Sequence, residues 1–506
     1  MPQTNPISPI VCILLATLIL CTAAFLRFYD LEDRPLHFDE ATGARIVGYA
    51  LAGDQQPFDP QHFHGPLLSV IAAPLAELLG QNNWRDLTIY PLRSVTAIAG
   101  FLTVAICLFF PSRWSFTLAA AALISTSPLL VYYSRMYIHE PLFIFTGILS
   151  LLAIAKYCEK QKMLWAVLGG IAIGLMAATR ETVIIALFSW TAAGLIMWLQ
   201  VSRTRKLSEL INSIRRHQWR IGLAGITCMA TIFIFYSQFG RHPSGFIDFF
   251  RTFFVYETTP GHDKPWDYYL SLLVVPQRSM GVLWTEAAVL ILAVSGYFLS
   301  PKGLPRQACR FIFTSGIILF LVFSLISYKT PWLICLAWLH ICIAGAFGLS
   351  GIAHFIPNRS VPLTVILISF IIGWQGLQAY RAAFDWPNDN RNPYSYVPTS
   401  PDVVRMTRWL KELSKTYPQI NEQTHVVLGQ AYWPLPWYLK DLGQTGYYTS
   451  VKDIADLPGT PLIFTTGKIP PEAESSHQWL PRGLRHEVTL WLGVRKDIWQ
   501  TYQSDE

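Results

Sequence analysis

Two adjacent carboxylates, Asp39 and Glu40, stand in the segment RPLHFDEATGARIVGYAL, just beyond the first apolar run of the chain. Neighbouring side chains point in different directions on most backbones, so one carboxylate can face a substrate while the other is held by a partner. A carboxylate at a membrane edge is suited to accept the proton of an acceptor hydroxyl, the task of a general base. The same dipeptide also suits a plainer role, capping a helix or sitting solvated in a loop.

Three more short segments carry charge between long apolar runs. VYYSRMYIHEPLF holds Arg135, His139 and Glu140, AATRETVI holds Arg180 and Glu181, and SLISYKTPWLICLAWLH holds Lys329. A charge at the centre of a membrane helix costs roughly 2.5–3.5 kcal/mol, so charges kept near the bilayer hint at function. Positive groups there can hold a phosphate and stabilise it as it departs. The plainer alternatives are an Arg135–Glu140 pair anchoring a helix end, a turn pair at Arg180 and Glu181, and a headgroup anchor at Lys329. Pro331 suits the first turn of the next helix and Trp332 an interface. HDKPWDYYLSLLVVPQR, residues 262–278, predicts an amphipathic helix lying on the membrane. His62 and His64 form an HFH pair that would share one face of a strand. They could ligate a metal with a third ligand, but nothing nearby supplies a set, and neither metal nor cofactor is expected.

These segments need a membrane body to position them. Of the 506 residues only 14% are charged, and the mean hydropathy is +0.34. Soluble domains carry about a quarter charged residues, so the composition excludes an ordinary soluble domain. The net charge of +7 is spread among loops. It speaks for orientation in a membrane rather than for nucleic-acid binding. None of the 8 cysteines has CxxC spacing, so neither a zinc or redox motif nor a disulfide framework is expected.

A spanning helix needs about 20 apolar residues. Eleven runs answer to this: 9–28, 93–111, 115–133, 141–156, 163–179, 182–200, 219–238, 281–299, 310–327, 332–352 and 361–379. The first reads as a retained helix, because MPQTNPISPI carries no Lys or Arg and no small-residue cleavage site follows. The stretch 66–80 is apolar but too short to span easily. Basic residues in short loops mark the cytoplasmic side. Arg203, Arg205, Lys206, Arg215 and Arg216 in one loop, Lys160 and Lys162 in another, and Lys302 and Arg306 in a third fall on one face. Arg27 and Arg34, after the first run, argue weakly the other way. Segments 29–92, 134–140, 180–181, 239–280, 328–331 and 380–506 then fall on the opposite, outer face. The expectation is an all-α polytopic membrane protein of about eleven transmembrane helices over 1–379, with 29–92 as a first outer catalytic loop. A small extracytoplasmic α/β domain follows over 380–506, with a helix at 402–416 and strands at HVVLG, PLIFTTG and EVTLWLGVR.

Taken together, HFDE at 37–40, SRMYIHEP at 134–141, ATRET at 178–182 and YKTPW at 328–332 resemble the GT-C superfamily of membrane glycosyltransferases. The nearest resemblance is to the protein O-mannosyltransferase and aminoarabinose-transferase group, and within it to the flippase-activity-associated bacterial and archaeal subgroup. YWPLPWYLKD at 432–441 is similar to that subgroup's soluble tail. The resemblance implies that Asp39 matches the acidic base or acceptor-orienting position and Glu40 its partner. Glu140 matches a second acidic position that is often Asp in relatives, here within HEP. It further implies that Arg135, Arg180 and Lys329, with His139 beside them, contact donor phosphate, and that donors are polyprenyl-phosphate sugars. The implied activity is an inverting transfer of a hexose or pentose to a glycan, lipid or protein acceptor, outside the plasma (inner) membrane. Two other readings stand beside it: a flippase or transporter of lipid-linked sugars, and a non-catalytic partner in envelope assembly. No two-fold repeat or matching pair of broken helices supports the transporter.

Overall fold

The computed structural model describes residues 8–54, 56–110, 112–201, 207–256, 261–355 and 361–505. Residues 1–7 of the expected n-region, and Arg203, Arg205 and Lys206 of the expected basic loop, lie outside the described residues. In chain order the helices are α1 (Pro9–Phe28), α2 (Phe38–Leu51), α3 (Leu67–Leu78), α4 (Ile89–Ile106), α5 (Trp114–Thr126), α6 (Pro128–Ser134), α7 (His139–Lys160), α8 (Met163–Thr179), α9 (Val183–Val201) and α10 (Leu207–Tyr236). They continue with α11 (Gly245–Val255), α12 (Tyr268–Leu273), α13 (Ala287–Leu299), α14 (Leu304–Leu325), α15 (Cys335–Phe355), α16 (Val361–Tyr380) and α17 (Pro401–Thr416). A hairpin of β1 (Gln277–Ser279) and β2 (Val282–Trp284) precedes α13.

A helix stands in every expected apolar run. By length and apolarity seven helices of the described residues can cross a membrane, or eight if the bent pair α5 and α6 counts as one span. This is a multi-pass membrane protein. Two expectations fail around residue 275. The amphipathic helix foreseen at 262–278 shrinks to the 6 residues of α12. Pro265 precedes it and Pro276 follows it, and proline cannot continue a helix. The run at 281–299 opens as a strand, because Met280 and Gly281 both adopt positive φ, as a tight hairpin turn requires.

The chain separates into two compact units. The first comprises Met1–Leu31, Gln56–Ala72 and Tyr90–Pro387. Its centre is α15, of whose apolar window 94% is buried, flanked by α13, α14 and α5. Small residues let the backbones meet. A Cβ on Gly348 would lie 1.9 Å from the Leu292 carbonyl oxygen, and one on Gly170 would lie 2.2 Å from that of Ala224.

Between α5 and α6 the chain bends by 63° at Ser127. Such a break frees backbone groups that lipid cannot satisfy. Two buried charges satisfy them from opposite ends. Arg27 donates to the carbonyls of Ile124 and Ser125, both at 3.1 Å, at the C-terminal end of α5. Glu286 accepts from the Ser127 hydroxyl at 2.7 Å and the Leu129 amide at 3.4 Å, where α6 begins. Each charge meets the helix end of complementary polarity.

The second unit comprises Glu32–Gln55, Ala73–Ile89 and Asn388–Glu506. It holds a five-stranded sheet of β3 (Thr424–Leu428), β4 (Gln444–Tyr448), β5 (Leu462–Thr465), β6 (His477–Arg485) and β7 (Val488–Arg495). The order is β4-β3-β5-β7-β6, parallel about β3 and antiparallel about β7. Val426, Leu428, Ile463, Leu457 and Ala473 form its core. α17 starts on a Ser400 cap with Pro401 in its first turn, and packs on β6. The segment around residue 36 belongs here. The Leu36 amide donates to the Tyr438 hydroxyl at 2.8 Å, and the Thr399 hydroxyl donates to the Leu36 carbonyl at 2.8 Å.

Candidate functional site

The HFDE motif opens α2, and its geometry separates the two carboxylates. His37 is the N-cap residue: its Nδ1 accepts from the Asp39 amide at 3.2 Å, while Glu40 at the third position accepts from the His37 amide at 2.9 Å. This is a capping box with histidine in the cap position. Glu40 is fully buried and pairs with Arg34 at 3.8 Å. Asp39 keeps 35% of its side chain exposed. His37 Nε2 donates to the Tyr396 carbonyl at 3.1 Å, which leaves Nδ1 as the acceptor and the ring neutral. Burial pushes His37 down to about 4, Arg34 and Arg485 act in the same direction, and the Glu40 charge opposes them. The 3.5 Å approach of His37 Nδ1 to the Asp39 carboxylate is therefore not an ion pair. Asp39 also acts on two groups from the C-terminal segment. Burial and the Asp39 charge together push the Tyr396 phenol up to about 12. Burial lowers the Arg485 guanidinium, and the Asp39 charge counters it.

The first unit carries a second polar cluster, at the ends of apolar helices. Arg180 follows α8 and is buried. Its guanidinium forms a close ion pair with Glu140, in the first turn of α7, and its Nε lies 3.6 Å from Glu181. Glu181 accepts in turn from His64 Nδ1 at 3.0 Å. Burial opposes ionisation of Glu181, but His64 and Arg180 outweigh it and hold the carboxyl below the usual carboxylate range. The Tyr256 hydroxyl lies 3.3 Å from His64 Nε2, and the two rings stack at 5.3 Å. His139 stands edge-on to His64 at 5.1 Å and is hydrogen-bonded to the Gly65 backbone. Gly65 is required here, since a Cβ would lie 2.2 Å from the Ala178 carbonyl oxygen. Arg180 also acts on Tyr269, whose phenol burial pushes well up and whose hydroxyl donates to the Thr330 carbonyl at 3.1 Å. The YKTPW segment thus borders the same cluster.

Lys329 is buried, and its Nζ donates to the Lys264 carbonyl at 3.0 Å and to that of Ile326. The backbone holds it there: Asp263 and Tyr328 form a β-bridge, and the Lys329 amide donates to the His262 carbonyl at 2.9 Å. Arg135 does not pair with Glu140. It donates to the carbonyls of Leu26, Tyr29 and Asp30 at the end of α1, and its guanidinium sits 4.5 Å over the Phe384 ring. Trp332 is buried edge-on against Tyr133 rather than placed as an interface residue. The HFH pair splits, His62 going to Asp59 at 2.8 Å and His64 to Glu181. Among the described residues no group of three or more His, Cys, Asp or Glu could hold a metal ion.

No family model matches the sequence, and no curated protein does. Solved structures do match. The apo structure of ArnT from Cupriavidus metallidurans superposes with a TM-score of 0.62 at 15% identity, over 95% of this chain and 98% of that one. The chain has the GT-C fold. The structure of the same ArnT bound to undecaprenyl phosphate matches with a TM-score of 0.56 at 14% identity, over 94% of this chain and 97% of that one. The archaeal oligosaccharyltransferase AglB from Archaeoglobus fulgidus, solved with an inhibitory peptide and a dolichol-phosphate, matches with a TM-score of 0.51 at 13% identity. That match covers 90% of this chain and 69% of AglB.

Within this GT-C fold, sequence reasoning passed over several of the buried polar groups. His64 entered only as half of a metal pair, and Tyr256 not at all. Glu286 lay inside a run read as a span, where an acid is itself a signal. Arg485 and Tyr396, which feel the Asp39 charge, have no local pattern that links them to residue 39.

Proposed function

We propose that the chain transfers a sugar from a polyprenyl-phosphate lipid to an acceptor on the extracytoplasmic side of the plasma (inner) membrane. The observation that carries this is the likeness to ArnT along nearly the whole of both chains, including the ArnT structure with undecaprenyl phosphate bound. The four short motifs that suggested the family in the sequence also coincide with buried charge networks and a helix cap, not with random surface.

The proposed roles follow from chemistry. Asp39 is the general base, because its neighbour Glu40 is committed to Arg34 and to the helix cap while Asp39 retains exposure. It draws the proton from the acceptor hydroxyl as that oxygen attacks the anomeric carbon. The bond from that carbon to the phosphate oxygen breaks, and polyprenyl phosphate departs. A single displacement inverts the anomeric centre. Arg180 and Lys329 stabilise the charge gathering on the leaving phosphate, and Glu140 orients Arg180. Arg135 and His139 are positioning residues: one binds the end of α1 and the other packs on His64.

The test is transfer itself. Purified protein in detergent is given radiolabelled polyprenyl-phosphate hexoses and a membrane extract of acceptors, beside an Asp39→Asn variant. Label entering product with the native protein and falling about 100-fold or more with the variant is expected, as for loss of a general base. Equal transfer by both removes Asp39 from the role. Failure with every donor counts against the transferase reading.

A further inference from the structure

The helix that begins with Asp39 carries a second polar feature further along. Glu40, Ala41, Ala44, Val47 and Gly48 of α2 are buried. Asp39, Thr42, Ile46 and Tyr49 follow one another at steps of three and four residues and form an accessible stripe. Arg45 flanks that stripe. Its guanidinium lies 4.7 Å from the centre of the Tyr49 ring and 4.9 Å from that of Trp84, in the turn after α3. Among the described residues Arg45 makes no hydrogen bond and no ion pair. The rings attract the cation through their faces, and the N–H donors in its plane are left for a ligand.

The neighbouring cation is engaged differently. Lys440 lies 3.9 Å from the centre of the Trp437 ring, and its Nζ donates to the Trp84 carbonyl at 3.4 Å and to that of Leu87. It ties down the turn that carries Trp84, whose ring meets Trp437 edge-on at 5.6 Å. The acids nearby are also engaged: Asp86 accepts from Asn83, and Asp441 pairs with Lys411. Arg45 therefore has the charge and the donors for an anion, and Lys440 holds the frame. The strip extends to the sheet, where the Arg45 charge reaches the Tyr447 phenol on β4 and Tyr447 packs on Tyr432 at 5.0 Å. Tyr49 and Tyr447 are each 38% exposed.

We propose that this strip binds the acceptor, and that the acceptor is an oligosaccharide bearing an anionic group. The proposal rests on the transferase reading given above, with Asp39 as its base. Arg45 takes the anion, a carboxylate or a phosphate on a sugar other than the reacting one, through two parallel N–H donors. The free face of the Tyr49 ring is electron-rich and apolar, and it packs against the C–H bonds on one face of a sugar ring. The helix sets the length of the ligand. At 1.5 Å per residue, Arg45 stands about 9 Å and Tyr49 about 15 Å along the axis from Asp39. That is too far for one sugar to reach from the base to the strip, and it suits a chain of sugars laid along α2.

The experiment measures binding of trisaccharides to the full chain in lipid nanodiscs. The probes are trimers of galactose, glucose and mannose, each in a neutral, a uronic-acid and a 6-phosphate form. At least one acidic trimer is expected to bind about tenfold or more tighter than its neutral counterpart, and the form that does so tells carboxylate from phosphate. Arg45→Gln is expected to remove that preference, and Arg45→Lys, which keeps the charge without the fork, to retain part of it. Tyr49→Ala is expected to weaken acidic and neutral forms alike, by about threefold to tenfold. The trimer that binds best is expected to compete with the extract acceptors for label in the transfer assay. Equal affinity for acidic and neutral forms, a preference that survives in Arg45→Gln, or no binding of any trimer overturns the proposal. Each of these leaves the transferase reading intact as long as native protein still transfers label to the extract. Binding without competition overturns the assignment of the strip to the acceptor. Failure of transfer with every donor removes the reading on which the proposal rests.

Discussion

At the scale of single residues, the acidic dipeptide divides its two carboxylates, Glu40 held in the helix cap and Asp39 partly exposed. The cap formed by His37 and Glu40 fixes where α2 begins, and so fixes the position of Asp39. Removing the buried Glu40 carboxylate leaves Arg34 and the His37 amide without it. Glu40→Ala is expected to destabilise the fold by about 1–3 kcal/mol, and Asp39→Asn to leave stability nearly unchanged, both read from thermal melting. His37 adds a pH signature. Burial lowers it from 6.5 to about 4, so between these values the folded state binds fewer protons than the unfolded chain. Its stability contribution is full above about pH 6.5 and is lost as pH falls towards 4, by up to about 3 kcal/mol. Native protein should lose more melting temperature across that window than His37→Gln, and equal losses would remove His37 as the cause. The sequence singled out HFDE as a segment. It did not show which carboxylate is held, since that depends on Arg34 and on backbone angles at the cap.

At the scale of elements, the apolar runs were legible because hydropathy records burial in lipid directly. The break between α5 and α6 was not, since 115–133 reads as one continuous run and only Pro128 marks it. Nor was its bracing by Arg27 and Glu286, which lie far apart in sequence from the bend. Glu286 also accepts from the Trp338 indole at 2.8 Å, so Glu286→Leu would orphan that N–H, the Ser127 hydroxyl and the Leu129 amide together. A loss of about 3–5 kcal/mol is expected, with Glu286→Gln retaining about half the lost stability because it keeps an acceptor oxygen. Equal melting of Glu286→Leu and native protein would show that the break holds itself. Three of the five strands of the large sheet were visible as apolar runs. β4 and β6 were missed because QTGYY and HQWLPRGLR lack a clean two-residue alternation.

At the scale of the molecule, the least legible feature is that 32–55 and 73–89 join 388–506 in one compact unit. No local pattern announces a pairing across such separation, and tertiary contacts such as the Leu36 to Tyr438 hydrogen bond and the edge-on Trp84 and Trp437 rings express it. Helix lengths bear on the sidedness expected from the basic loops. Lys160 and Lys162 follow α7, and Lys302 and Arg306 flank the start of α14. Between them lie α8 to α13, of which α8, α9, α10 and α13 stand in the runs expected to span, while α11 and α12 have only 11 and 6 residues. The expectation that both basic loops face the cytoplasm requires an even number of crossings between them. α9 and α10 are long enough to cross. α8 has 17 residues and α13 only 13, about 20 Å of helix against a core of about 30 Å. Either both cross, with thinning or flanking residues completing α13, or neither does. If α14, α15 and α16 each cross, as the eleven apolar runs predict, the sheet falls on the opposite face. Single cysteines introduced at Lys160, Lys302 and Glu472 test this with a membrane-impermeant maleimide in intact cells. Labelling of the Glu472 position alone, with the other two reacting only after permeabilisation, is the expected result. Lys160 and Lys302 on opposite faces would mean that one of α8 and α13 crosses without the other. Glu472 sharing the face of Lys302 would remove the sheet, and Asp39 with it, from the extracytoplasmic side.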